Sequence, residues 1–180
     1  MTDKPEDSKN ETTKVGEEVD ADEDDELDIV PMVAGDYMIH VFLQKGKNFK
    51  TDDDKDTIDA ICQIDTCSQI KYSEVHKGCT LNNSKGQYFG EHFFIEAKKM
   101  SKDDISESNV TIKLLNKGLF RDKVIGIFDI DIANIYSMND KHVLEHQWVA
   151  LNNPDSETPN EIKAYLKVSI NIQGPNDSSV

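Results

Sequence analysis

Apolar and polar positions alternate along most of the chain after residue 36. Ile58, Ala60, Cys62 and Ile64 interleave with Asp59, Ile61, Gln63 and Asp65. That largely two-residue period predicts a strand over Ile58–Thr66 with one buried face. Similar runs predict strands over Tyr37–Leu43, Ile70–His76, Tyr88–Glu96, Val110–Leu115, Val124–Ile130, Gln147–Leu151 and Ile162–Ile172. The last places Leu166, Val168, Ile170 and Ile172 on one face. Polar stretches punctuate the runs. Gly78, Asn82, Asn83 and Gly86 mark a loop over 77–87, and Pro154 and Pro159 mark another over 152–160. Residues 132–140 read as a connector with room for one short helical turn. Eight short strands without a long helix predict an antiparallel sandwich or barrel. The first and last strands are long, as neighbours closing a sheet would be.

The stretch Val110–Asp131 organises the chain. Its two strands supply Ile112, Leu114, Ile125, Ile127 and Ile130 as apolar strand positions. Gly126 in the second strand suits a bulge or a close backbone approach. Between the strands lies the basic loop Asn116–Lys123, NKGLFRDK, with Leu119 and Phe120 at its tip. An apolar tip flanked by Lys117, Arg121 and Lys123 could touch an anionic membrane. The competing reading is a solvated hairpin whose Phe folds back on the core.

Charge divides the chain. The net charge is −15, and residues 1–30 hold 13 acidic and 3 basic side chains. The remaining 22 acidic and 17 basic side chains leave a local charge of only −5. So acidic a segment, with few large apolar residues, cannot repay its ordering entropy, which predicts a disordered tail over residues 1–34. The folded domain is then expected over 35–177, with 178–180 as its end. An acidic chain lacks the basic footprint of a nucleic-acid binder. No apolar run approaches the ~20 residues of a membrane span, and the N-terminus lacks the apolar core of a signal peptide. Three cysteines, Cys62, Cys67 and Cys79, with no secretion signal, point to reduced thiols in the cytosol.

Few residue clusters suggest site chemistry. Asp52, Asp53, Asp54, Asp56 and Asp59 crowd one loop. Calcium needs six to eight oxygens, usually from more than one loop. Asp52, Asp54 and Asp56 begin an EF-hand spacing, but Thr57 stands where that loop needs Gly and Gln63 where it needs Glu. The Asn116–Lys123 loop would add only Asp122, among three cations. His142 and His146 have helical zinc spacing but no third ligand. Cys62 and Cys67 read as packing thiols. His40 and His92 fall in strands without a triad context, and no phosphate loop is present, so the expectation is a non-enzyme. Lys71, Lys77 and Lys85 could take up phosphoinositide headgroups, or simply protect a sheet edge.

The order of parts resembles the C2 domain. Asp59 in TIDAICQI sits like the Asp of the C2 "SDPY" motif, and VTIKLLN…RDKVIGIFDIDI resembles the last loop pair with its "IG" strand. The stretch HQWVALNNPDSETPNEIKAYLKVSINIQGPND is similar to the ferlin pattern of a Trp strand and "DP" loop leading into "GYLKVSI…GPGD". Ala164 replaces a usual Gly, and Asn176 the second Gly of "GPGD". The likeness is best over roughly 87–177 and points to the second C2 domain of ferlins, which leads into the ferlin-specific region.

The resemblance implies an all-β, eight-stranded antiparallel C2-type sandwich of type II order. It implies a module of membrane trafficking and vesicle fusion, as a fragment or small relative of a tail-anchored ferlin, in the cytoplasm and peripheral to membranes or vesicles. Partners would be anionic phospholipid or other ferlin domains. Calcium-binding C2 domains place two or more aspartates in the last loop, where this chain has Asn116, Lys117, Arg121 and Asp122 alone. That loop cannot complete a calcium cage, so no tightly held cofactor is expected. Weak docking through Lys117, Leu119, Phe120, Arg121 and Lys123 is the leading expectation. A calcium-dependent lipid sensor using Asp52, Asp53, Asp54, Asp59 and Asp122 is one alternative. A protein-contact or spacer module without lipid binding is the other.

Overall fold

The computed structural model of the chain describes residues 31–53 and 55–177. Most of the expected acidic tail, residues 1–30, lies outside the described residues, as do Asp54 and 178–180.

Among the described residues, nine strands and two short helices follow one another. They are β1 (Gly35–Lys47), β2 (Thr57–Thr66), β3 (Gln69–Tyr72), β4 (His76–Thr80), β5 (Gln87–Met100), α1 (Lys102–Ser106), β6 (Asn109–Asn116), β7 (Lys123–Asp131), α2 (Ile132–Tyr136), β8 (Val143–Asn152) and β9 (Ile162–Gln173). The strands run β3-β2-β6-β7-β8-β9-β1-β5, and β4 also pairs with β2. All pairings are antiparallel. β7 and β8 meet at a single residue pair, Ile127 with Asn152. The sheet is therefore two leaves hinged at one seam, with a shared core between them. As expected, the first and last strands are neighbours, Val41 opposite Ile170.

Alternation explains the core. Ile39, Val41 and Leu43 of β1, Ile58, Ala60, Cys62 and Ile64 of β2, and Leu166, Val168 and Ile170 of β9 all turn inward. Gly126 lies at the seam, where a Cβ would stand 2.8 Å from the Leu151 Cβ. The close approach expected from sequence is there, and so is a register shift between Leu114 and Leu115 in the β6–β7 ladder.

Four elements differ from the expectation. A ninth strand, β4, occupies part of the predicted 77–87 loop. It buries Cys79 alone, so it carries no alternation to read. The predicted run Ile70–His76 breaks at Ser73, whose Oγ accepts from the Cys62 amide at 2.8 Å. β8 begins at Val143 rather than Gln147. A register shift between Leu144 and Gln147 disrupts its period, and His146 has φ +49°. The expected helical turn is α2. The polar 98–108 stretch adds α1, capped where the Asp104 amide donates to Ser101 Oγ at 3.0 Å.

Candidate functional site: the loop end

Four loops meet at one end of the sandwich: 48–56, 81–86, 117–122 and 153–161. Backbone hydrogen bonds stitch them together. The Asn82 amide donates to Phe49 O at 2.9 Å, Leu81 to Asp56 O at 2.9 Å, Lys50 to Lys163 O at 2.8 Å and Lys117 to Asp59 O at 2.7 Å. The buried Phe49 side chain packs beneath them.

Lysines neutralise the carboxylates here. Lys163 is only 3% exposed. Its Nζ donates to Asp52 Oδ1 at 2.7 Å, Thr158 Oγ1 at 2.7 Å and Glu161 Oε2 at 2.9 Å. A buried ammonium is tolerable only when paired and fully hydrogen-bonded, and this one fills all three donor positions. Its pKa is raised, first by the Asp52 hydrogen bond. Glu161 also accepts from Lys50 Nζ at 3.0 Å. Hydrogen bonds from Lys163, Lys50 and Thr158 lower its pKa to about 2. Lys123 Nζ reaches Asp53 Oδ1 at 2.9 Å and ties the first loop to the 117–122 loop. That contact holds the Asp53 carboxyl below its ordinary pKa. Asp122 is likewise lowered, first by the Gly118 amide at 3.1 Å and then by Lys117 Nζ at 3.1 Å.

These contacts place the predicted calcium ligands. Asp52, Asp53 and Asp122 each face an ammonium, and Asp59 Oδ1 accepts from the Gly78 amide of β4 at 2.9 Å. Asp54 lies outside the described residues. Among the described residues, no three His, Cys, Asp or Glu side chains converge to hold a metal. Each described carboxylate of this set therefore already accepts from an ammonium or an amide of the protein.

The tip is different. Leu119 and Phe120 are 91% and 97% exposed, so the ring does not fold back on the core. The turn beneath them is tight, since a Cβ at Gly118 would lie 2.0 Å from Arg121 O. Of the three basic residues expected around the tip, Lys117 and Lys123 have carboxylate partners and Arg121 has none among the described residues.

The remaining predicted residues disperse. Lys71 stands opposite Ile64 in β3, while Lys77 follows His76, which stands opposite Ala60. Four ladder positions, roughly 13 Å, separate those two levels. Lys85 lies in the 81–86 loop, outside both strands. His142 is buried, stacked on Tyr136 with ring centroids 3.7 Å apart, whereas His146 is exposed in β8. Cys62, Cys67 and Cys79 are free thiols, and burial pushes the Cys62 pKa up. His40 and His92 hydrogen-bond each other at 2.9 Å on the outer face of β1 and β5. Sequence reasoning missed Lys163, Glu161 and Lys50. Nothing in β9 singles out Lys163, because Lys167, Ser169 and Asn171 fall in the same strand at the same phase.

The two-leaf antiparallel sandwich with its loop cluster is the fold of a C2 domain. An extended-synaptotagmin 2 fragment that holds an SMP domain and a pair of C2 domains superposes with TM-score 0.56 and 10% identity, over 78% of this chain and 28% of that one. A single C2 domain of plant extended synaptotagmin 1 gives TM-score 0.51 and 10% identity, over 81% of this chain and 98% of that one. No protein-family model matches the sequence. Within the C2 class the chain resembles the ferlin type. Myoferlin of Xenopus tropicalis is 29% identical over 143 residues, 79% of this chain. The chain spans only 7% of the length of that relative.

Proposed function

We propose that this is a non-enzymatic C2 module of membrane trafficking that docks weakly, and without calcium, to anionic membrane. One observation carries the reading. The loop end presents a bare apolar tip, Leu119–Phe120, above carboxylates that lysines already neutralise. Calcium-dependent docking needs unpaired acidic groups that a cation can bridge. Here Lys163 and Lys123 stand in the place of such cations, so the loops are ordered in advance and the end is less negative. The tip supplies apolar area for the headgroup boundary, and Arg121 supplies attraction at roughly 1 kcal/mol. Such docking is weak and reversible, as suits one domain among several in a longer ferlin-like protein working at the cytoplasmic face of membranes or vesicles.

Vesicle flotation tests this reading. A Phe120→Ser, Arg121→Ala double variant should fold normally and lose binding to phosphatidylserine vesicles. Undiminished flotation of that variant would remove the loop from the mechanism. Capture by another ferlin-like domain, with no vesicle binding by the unaltered chain, would favour a protein-contact module.

A further inference from the structure

The outer face of the β8-β9-β1-β5 leaf carries a cationic, aromatic patch. In register across its four strands lie Tyr88, Lys45, Lys167 and Trp148. In the β1–β9 ladder beside that row, Lys47 stands opposite Tyr165. The Lys47 Nζ sits 4.2 Å from the Trp148 ring centroid and 5.9 Å from that of Tyr165. None of the ion pairs formed by the described residues involves Lys45, Lys47 or Lys167.

Lys45 and Lys167 are direct cross-strand partners. Like charges in that relation repel and weaken a sheet. At the neighbouring loop end, by contrast, Lys163, Lys123, Lys117 and Lys50 each meet a carboxylate. Here three ammonium groups share a face with no carboxylate partner among the described residues. The aromatic rings offer cation–π contact and cover for the lysine stems, but no counter-charge. Tyr88 is 61% exposed and Trp148 40%. Trp and Tyr, apolar in body and polar at one end, favour the boundary between headgroups and water. The patch also borders the loop end: Lys47 closes β1, and Tyr165 lies two residues beyond Lys163.

We propose that this face is a second contact for an anionic bilayer, in which Lys45, Lys47 and Lys167 meet lipid phosphates while Trp148, Tyr165 and Tyr88 settle at headgroup level. The inference rests on the membrane reading above and extends it. The domain would lie tilted, with the 117–122 tip and this face both in contact.

Trp148 is the only tryptophan of the chain, so its fluorescence reports the contact. With the full chain, phosphatidylserine vesicles should shift Trp148 emission to the blue, while phosphatidylcholine vesicles and inorganic phosphate should not. Lys45→Ala with Lys167→Ala should weaken vesicle binding at least fivefold and abolish the shift, while Lys45→Arg with Lys167→Arg restores both. The alanine pair should be at least as stable as the parent in urea, because it removes a repulsion. If the parent binds vesicles and the alanine pair binds equally well, this inference falls and the tip alone carries docking. If the parent binds no vesicle, the membrane reading falls and this inference falls with it. A shift induced by inorganic phosphate would overturn the assignment to a bilayer.

Discussion

The loop end and the outer face of the β8-β9-β1-β5 leaf handle charge in opposite ways. At the loop end, Lys50, Lys117, Lys123 and Lys163 each meet a carboxylate within 3.1 Å. On the leaf, Lys47 lies over the Trp148 and Tyr165 rings, and Lys45 and Lys167 stand opposite one another. The first arrangement satisfies itself and gives a stable platform for an apolar tip. The second leaves positive charge unanswered. A carboxylate-rich loop need not be a cation site, and lysines scattered over three strands can still form one surface.

The largest effect of a substitution belongs to Lys163. Lys163→Met leaves Asp52 without an ammonium and Glu161 with Lys50 alone, and should cost about 2–3 kcal/mol in urea denaturation, the scale of lost hydrogen bonds to charged groups. A loss under about 1 kcal/mol would show that the pairing is incidental. Gly126→Val forces a side chain against Leu151 at the seam. It should cost about 1–3 kcal/mol by overpacking, leaving the contacts at the tip unchanged.

The paired carboxylates also predict an acid limb. Glu161 has a folded pKa of about 2, below the ordinary glutamate value. Its stabilising contribution is full above the unfolded pKa of about 4.3 and is lost as pH falls through the folded value. The urea midpoint should therefore drop between roughly pH 4.3 and 2, and less steeply in Glu161→Gln. An unchanged slope in that variant would detach Glu161 from the network. The smallest stability effects belong to the unpaired regions. Phe120→Ser and Lys45→Ala should each change stability by no more than about 0.5 kcal/mol. A larger loss at Phe120 would mean that its ring packs on the core in solution.

Much of this architecture was legible in sequence because it rests on alternation. The seven long strands announced themselves by their periods, and the Val110–Asp131 pair was placed nearly to the residue. β4 was not legible, since a five-residue edge strand with one inward side chain has no period. The start of β8 was hidden by its register shift. For the site, NKGLFRDK announces an apolar tip among cations but leaves open whether Phe120 faces solvent or the core, and the state of the carboxylates is not legible at all. Asp52 and Lys163 are 111 residues apart, and no local pattern announces their contact. The patch of Lys45, Lys167 and Trp148 was illegible for the same reason. It depends on the register of strands distant in sequence.

The most direct test of calcium-independent docking is co-sedimentation of the full chain with phosphatidylserine vesicles, in calcium and in chelator. Binding should be equal in both and lost as salt screens the lysines and Arg121. Binding only in calcium would contradict it and return Asp52, Asp53 and Asp59 to the centre of the mechanism.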